Sequence, residues 1–299
     1  MTGRIVVGFT GDTSDSGALE WAVEYAQALD VEIELVHVVD DSWGAIAANL
    51  AETALLQAEH QLREVAQRAR ESAPGVTFHS YVTVGSPTEA LTDRSSGTDL
   101  LVVGTRAQGR IDERLFGTRG AQIASRAHCS VVIVPERNDD VAAATGSGVV
   151  VGVDGSDASI SAVKFAAQYA DRYREPLQAV YAWNPPTPWT GVEAFEWPTV
   201  PSDDDHLVLA QSVAGITDSY PELELKLTVA SALPADALNA AARGARLLVV
   251  GTHGRRGLSK FWLGSVSRDV AQLMPCPIAV IRSAAPRDGA DSAEESSAR

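Results

Sequence analysis

A chain of 299 residues with 45% apolar and 21% charged side chains has ordinary globular composition, which excludes wholesale disorder and suggests about two domains of roughly 150 residues. Its formal net charge of -15, from 39 acidic against 24 basic side chains, repels phosphate backbones and argues against nucleic acid as a partner. No apolar run approaches the roughly 18 residues of a membrane span, and two cysteines cannot build a disulfide framework, so the expected setting is a reducing cytoplasm with no membrane partner.

The opening MTGRIVVGF leads into a strand rather than a signal peptide. Apolar runs at 4–9, 33–38, 78–84, 99–104 and 131–134, short and rich in Val and Ile, read as five strands. Runs that are apolar on nearly every residue, such as LLVVG, fit central parallel strands covered on both faces. Between the strands, Ala18, Ala22, Tyr25, Ala26 and Leu29 fall at helical spacing behind Ser14 as N-cap; Leu55, Ala58, Leu62, Val65, Ala66 and Ala69 do so again. Residues 136–147 are small and polar and read as a linker between a first domain, 1–135, and a second, 148–283.

The second domain repeats the scheme, with strands expected at 148–153, 177–182, 223–230, 246–251 and 278–281. Its third strand alternates apolar and polar residues, the mark of a strand near a sheet edge. The proline-rich stretch 184–202, with Trp189, Phe195 and Trp197, cannot be regular structure. It is either a loop stapled by its own aromatics or a contact surface. Asp203, Asp204 and Asp205 then suit a helix start. Residues 284–299 are polar and acidic and read as a disordered tail.

The halves are copies. Residues 4–26 match 148–170, both ending Tyr-Ala; DLLVVGT at 99–105 matches RLLVVGT at 246–252; HCSVVIV at 128–134 matches PCPIAVI at 275–281. The offset grows from 144 at the first strand to 147 at the fourth, which implies a three-residue insertion within the second copy. Strands alternating with helices, twice over, give two tandem doubly wound α/β domains with right-handed crossovers.

The chemistry concentrates in GTHGRRGLSKFWLGSVS, residues 251–267. A buried strand ends at Gly251, glycines follow at 254 and 264, and a helix begins after Ser265. Loop and first-turn N–H groups together with the helix dipole make an anion site. Glycines let a phosphate approach the backbone, Ser265 and Ser267 add hydroxyl donors, and Arg255 and Arg256 add charge. Asp154 ends the first strand of this copy. It faces the same crevice if strands one and four are neighbours, and there it can accept from a nucleoside or cap the following helix, as Ser156 and Asp157 also can. No GxxxxGK[ST] is present, and no GxGxxG follows either first strand, so neither a P-loop nor a dehydrogenase-type dinucleotide site is supported. The six histidines show no metal-ligand spacing, and Cys129 and Cys276 read as buried, inert thiols. His253, inside the loop, is either a phosphate donor or an exposed spectator.

VGVDGS at a strand end, Gly-x2-Gly-x9-Gly-Ser at 251–265 and Pro275-Cys276-Pro277 before the last strand resemble the universal stress protein family, and two copies resemble its tandem-domain form. The resemblance implies a five-stranded parallel sheet of order 3-2-1-4-5 in each domain, ATP (accompanied by Mg²⁺) at the strand C-termini, and no established reaction. It implies a site of Asp154, Ala182, Gly251, Gly254, Gly264, Ser265, Val266 and Ser267 in the second copy. The first copy departs from the pattern: Thr10 stands for the acid and Ala107 for the second loop glycine, leaving Thr10, Val38, Gly104, Gly117 and Thr118 as a weaker set. The copies are expected to pair through their uncharged fifth strands as a pseudo-dimer, with further association into a homodimer. The function expected is an ATP-binding stress-response regulator with an unidentified protein partner. The alternatives are a slow ATP hydrolase or nucleotidyl-transferring enzyme, and a scaffold that needs no nucleotide.

Overall fold

Ten strands join in one sheet in the computed structural model, which describes residues 3–11, 16–40, 48–105, 118–135, 146–184, 200–254 and 263–283. The first half runs β1 (Arg4–Phe9), α1 (Ser16–Leu29), β2 (Glu32–Val39), α2 (Ala48–Ser72), β3 (Phe78–Val84), α3 (Pro87–Arg94), β4 (Leu100–Thr105), α4 (Thr118–Arg126) and β5 (Ser130–Pro135). The second runs β6 (Val149–Val153), α5 (Asp157–Tyr173), β7 (Leu177–Trp183), α6 (Asp203–Ser212), α7 (Ile216–Ser219), β8 (Leu225–Ser231), α8 (Pro234–Ala241), β9 (Leu247–Gly251), α9 (Ser265–Leu273) and β10 (Ile278–Ile281). The strand order β3-β2-β1-β4-β5-β10-β9-β6-β7-β8 is 3-2-1-4-5 in each half, joined fifth strand to fifth strand.

Every apolar run read as a strand is one, and β8 lies at a sheet edge, as its alternation required. Ser14, Trp189, Phe195, Trp197, residues 136–145 of the linker and the tail 284–299 lie outside the described residues. Ser156 is the N-cap of α5, accepting from Ser159 N, and Ser202 caps α6 in a box with Asp205 of the acidic triplet. The halves differ most after their second strands. One helix of 25 residues, α2, fills this place in the first copy. The second copy has α6 and α7, interrupted at Gly215, whose left-handed φ of 79° breaks the helical run.

Within each half all pairing is parallel; β5 and β10 pair antiparallel, with Val131, Val132 and Ile133 opposite Val280, Ala279 and Ile278. These six side chains are at most 1% exposed, so the junction is core. On one face of the sheet, α1 and α5 meet through rings. Trp21 lies 5.0 Å from Tyr25, Tyr25 lies 5.9 Å from Tyr169, and Tyr169 lies 4.5 Å from Tyr173. Tyr25 and Tyr169 are the repeated Tyr-Ala tyrosines, so the repeat stacks on itself across a local twofold. Arg246 reaches over the same seam, ion-paired with Glu24 and 4.6 Å above the Tyr173 ring. Near the α4 end of β5, the Arg282 guanidinium donates to the carbonyls of Ala124 (3.4 Å) and Ser125 (3.1 Å) at the end of α4.

Tyr169 is 3% exposed at the centre of this stack. Tyr169→Ala is expected to destabilise the protein by about 3–5 kcal/mol, the usual cost of deleting a buried ring, read as a lower urea midpoint. Burial pushes the Cys129 and Cys276 thiols up to about 12, so both stay protonated through pH 8. Neither should react with a thiol reagent at pH 8 until denaturant is added, when both should.

Candidate functional site

Because β6 pairs with β7 on one side and β9 on the other, all parallel, the C-terminal ends of these strands open at one edge of the sheet. A cleft of about 800 Å³ lies there, within the ~300–1,000 Å³ range of small-molecule pockets. All eight residues expected in the second copy line it: Asp154 from the end of β6, Ala182 from β7, Gly251 and Gly254 from the end of β9 and its loop, and Gly264, Ser265, Val266 and Ser267 around the start of α9. Sequence reasoning missed Tyr181, Pro234 and Leu238, which form apolar wall. Pro234 and Leu238 are one helical turn apart on α8, a spacing that says core or cleft without distinguishing them. Arg255 and Arg256 lie outside the described residues.

Asp154 stands at the turn before the helix cap and at the cleft. Its Oδ1 accepts from Ser156 N at 3.0 Å and Ser156 Oγ at 2.6 Å, which fixes the turn into α5, and its side chain lines the cleft. The glycines also have a reason within the fold. A Cβ on Gly251 would stand 2.8 Å from the Ala158 carbonyl carbon, and one on Gly254 would stand 2.5 Å from Asp154 Oδ2. These positions exclude a side chain because the first turn of α5 and the carboxylate already fill the space. Gly264 has an ordinary φ of -58°, and its Cβ would face Thr252 O at 3.3 Å.

The serines also separate. Ser267 is 4% exposed and its Oγ donates to Gly251 O at 2.7 Å, tying α9 to the end of β9. Its proton is committed there, so of the two expected hydroxyl donors Ser265, which is exposed, is the one facing outward. The α9 N-cap is a glycine, which offers no side chain to cap the first turn, and the positive end of the helix dipole lies at the cleft. His253 is part of the site: Nδ1 lies 3.0 Å from Thr252 Oγ1, while Nε2 is buried and has no hydrogen-bond partner among the described residues. Opposite, Tyr181 Oη donates to Asp205 Oδ1 at 3.0 Å, anchoring the wall to α6.

In the first copy the strand pairing repeats. β1 pairs with β2 and β4, so Thr10, Val38 and Gly104 come to the C-terminal strand ends, and Thr118 is the first residue of α4. Gly117 and Ala107 lie outside the described residues.

Comparison with known proteins agrees with this repeat. The model of the universal stress protein family matches the chain twice, over residues 1–135 and 148–282. A universal stress protein of Mycobacterium tuberculosis is 31% identical over 289 residues, spanning 93% of this chain and 96% of its own length. One from Mycolicibacterium smegmatis is 31% identical over 291 residues, covering 93% and 96%. The crystal structure of a universal stress protein from Archaeoglobus fulgidus superposes with a TM-score of 0.71 over 94% of this chain and 98% of that one; at 18% identity it speaks to the fold alone.

Ser267→Ala leaves the Gly251 carbonyl without its hydroxyl donor. The variant is expected to lose about 1 kcal/mol of stability, measured by urea unfolding.

Proposed function

Because the chain belongs to the universal stress protein family, with a copy of its domain in each half, we propose that it is an ATP-binding stress-response regulator whose nucleotide acts as a conformational or partner-binding ligand. The observation that carries this reading is the second-copy cleft, which brings a glycine-capped helix N-terminus, His253 and the Asp154 carboxylate to one cavity. On this reading Asp154 and the β7 wall at Ala182 take the nucleoside. The loop from Gly251 to Gly254 and the first-turn N–H groups of Ser265, Val266 and Ser267 take the phosphates, with Mg²⁺ carried by the phosphates themselves.

ATP supplies a polyanion whose charge the α9 dipole stabilises; the protein's part is to bind and orient it. A cytoplasmic location, a homodimer and a protein partner that reads the bound state belong to the same proposal. Slow hydrolysis is the second reading, with His253 at the cleft as the residue to test.

Purified protein, denatured and analysed by mass, should release an adenine nucleotide, and calorimetry should find one tight ATP site and one weaker. Asp154→Ala should weaken the tight site roughly ten- to hundredfold, the loss of one charge-assisted hydrogen bond. Thr10→Asp should strengthen the weaker one. An unchanged tight constant in Asp154→Ala would remove the cleft from the function. With Mg²⁺ present, turnover that vanishes in His253→Gln would favour the enzyme instead.

A further inference from the structure

We propose that the first copy carries a further binding site, a groove between α1 and α2 that takes an amphiphilic organic cation, an ammonium head on an apolar chain. The proposal does not depend on the nucleotide reading above.

The groove has a volume of about 840 Å³. Its floor is Phe9 of β1, Leu19 and Val23 of α1, and Val65 and Ala69 of α2. All but Ala69 are only partly buried, although they pack against the core. The matching side chains of the second copy are closed off. Val153, Val163 and Ala167, at the repeat positions of Phe9, Leu19 and Val23, are 5%, 1% and 0% exposed. The helices explain the difference. In the second copy the helical run is broken at Gly215, and α6, α7 and the turn between them bury Leu209, Val213 and Ile216. In the first copy α2 runs unbroken for 25 residues and leaves a gap beside α1.

The walls carry an excess of negative charge. Glu20 and Glu24 of α1 and Glu64 of α2 line the groove, against one guanidinium among the described lining residues, Arg68. Glu24 is ion-paired with Arg246, so Glu20 and Glu64, one on each wall, carry the recognition. The repeat positions of Glu20 and Glu24 on α5 are Lys164 and Gln168, so the acids go with the open groove and not with the closed one. Such walls repel an anion. They do not suit a bare metal ion either, since among the described residues no three His, Cys, Asp or Glu side chains gather to hold one. A carboxylate on each wall above an apolar floor fits an ammonium whose chain lies along that floor. From Glu64 to Ser72, α2 offers a length of about 12 Å at ~1.5 Å per residue, enough for an extended chain of roughly ten carbons.

The experiment is a calorimetric titration of the full chain with three probes of equal chain length: decylamine, decanol and decanoate. Decylamine should bind saturably at one equivalent, about three- to tenfold tighter than decanol, with decanoate the weakest. The double variant Glu20→Gln, Glu64→Gln should bring the amine down to the affinity of the alcohol and leave the alcohol unchanged. It removes only two of 39 acidic residues, so diffuse attraction to an acidic surface would hardly respond. Val23→Arg, which sets a long cationic side chain in the groove, should abolish binding of amine and alcohol alike while the urea transition stays cooperative. Absence of saturable decylamine binding would overturn the proposal, as would an amine preference that survives the double variant. Decanoate binding as tightly as decylamine would leave only an apolar surface. A dimer that Val23→Arg converts to monomer would show that a second copy of the chain, not an amphiphile, covers the groove.

Discussion

A fifth strand in the order 3-2-1-4-5 has a backbone partner on one side only, and here each copy supplies the strand that the other lacks. The need to pair those N–H and C=O groups joins two five-stranded sheets into one of ten. Much else follows from the antiparallel sense of that junction. It turns the C-terminal strand ends of the two copies in opposite directions, so the two candidate sites open at opposite edges of the sheet and cannot share a ligand. It also brings α1 beside α5, where the duplicated tyrosines stack.

The junction is symmetric in its core and asymmetric in its polar contacts. Position 282 is an arginine that caps the last carbonyls of α4, whereas its counterpart, position 135, is a proline with neither a guanidinium nor an N–H to offer. Arg246 likewise reaches from the second copy to Glu24 of the first. Paired positions that began alike need not stay alike, because each is read against a neighbour in the other copy. The clefts show the same drift: a carboxylate in one stands where a threonine stands in the other, and a valine where an arginine stands.

In the second cleft, residues that line the cavity also hold the fold. Asp154 sets the turn into α5 and presents a carboxylate; Ser267 binds the Gly251 carbonyl and so fixes the helix whose bare N-terminus faces the cavity. Rigid placement of this kind keeps the first-turn N–H groups aimed before any ligand arrives, which is what an anion site needs.

Strands, repeat and edge position were legible in the chain because apolar periodicity and burial in a parallel sheet are local properties, written in consecutive residues such as LLVVG. The glycine spacing and Asp154 marked the cleft for the same reason, since they lie at strand ends that the pattern already located. The purpose of each glycine was not legible. Ala158 and the Asp154 carboxylate, which exclude a Cβ at 251 and 254, are about a hundred residues away in the chain and meet these positions only in the folded sheet. Tyr181, Pro234 and Leu238 have no chemical signature outside the wall they build. Two α/β copies, with a glycine loop of anion-binding type, can be read from the order of residues alone. Folding is what brings the Ser267 hydroxyl to the Gly251 carbonyl, leaves His253 Nε2 without a partner among the described residues and sets Arg119 beside Asp40, because such partnerships depend on distances between side chains that the order of residues does not encode.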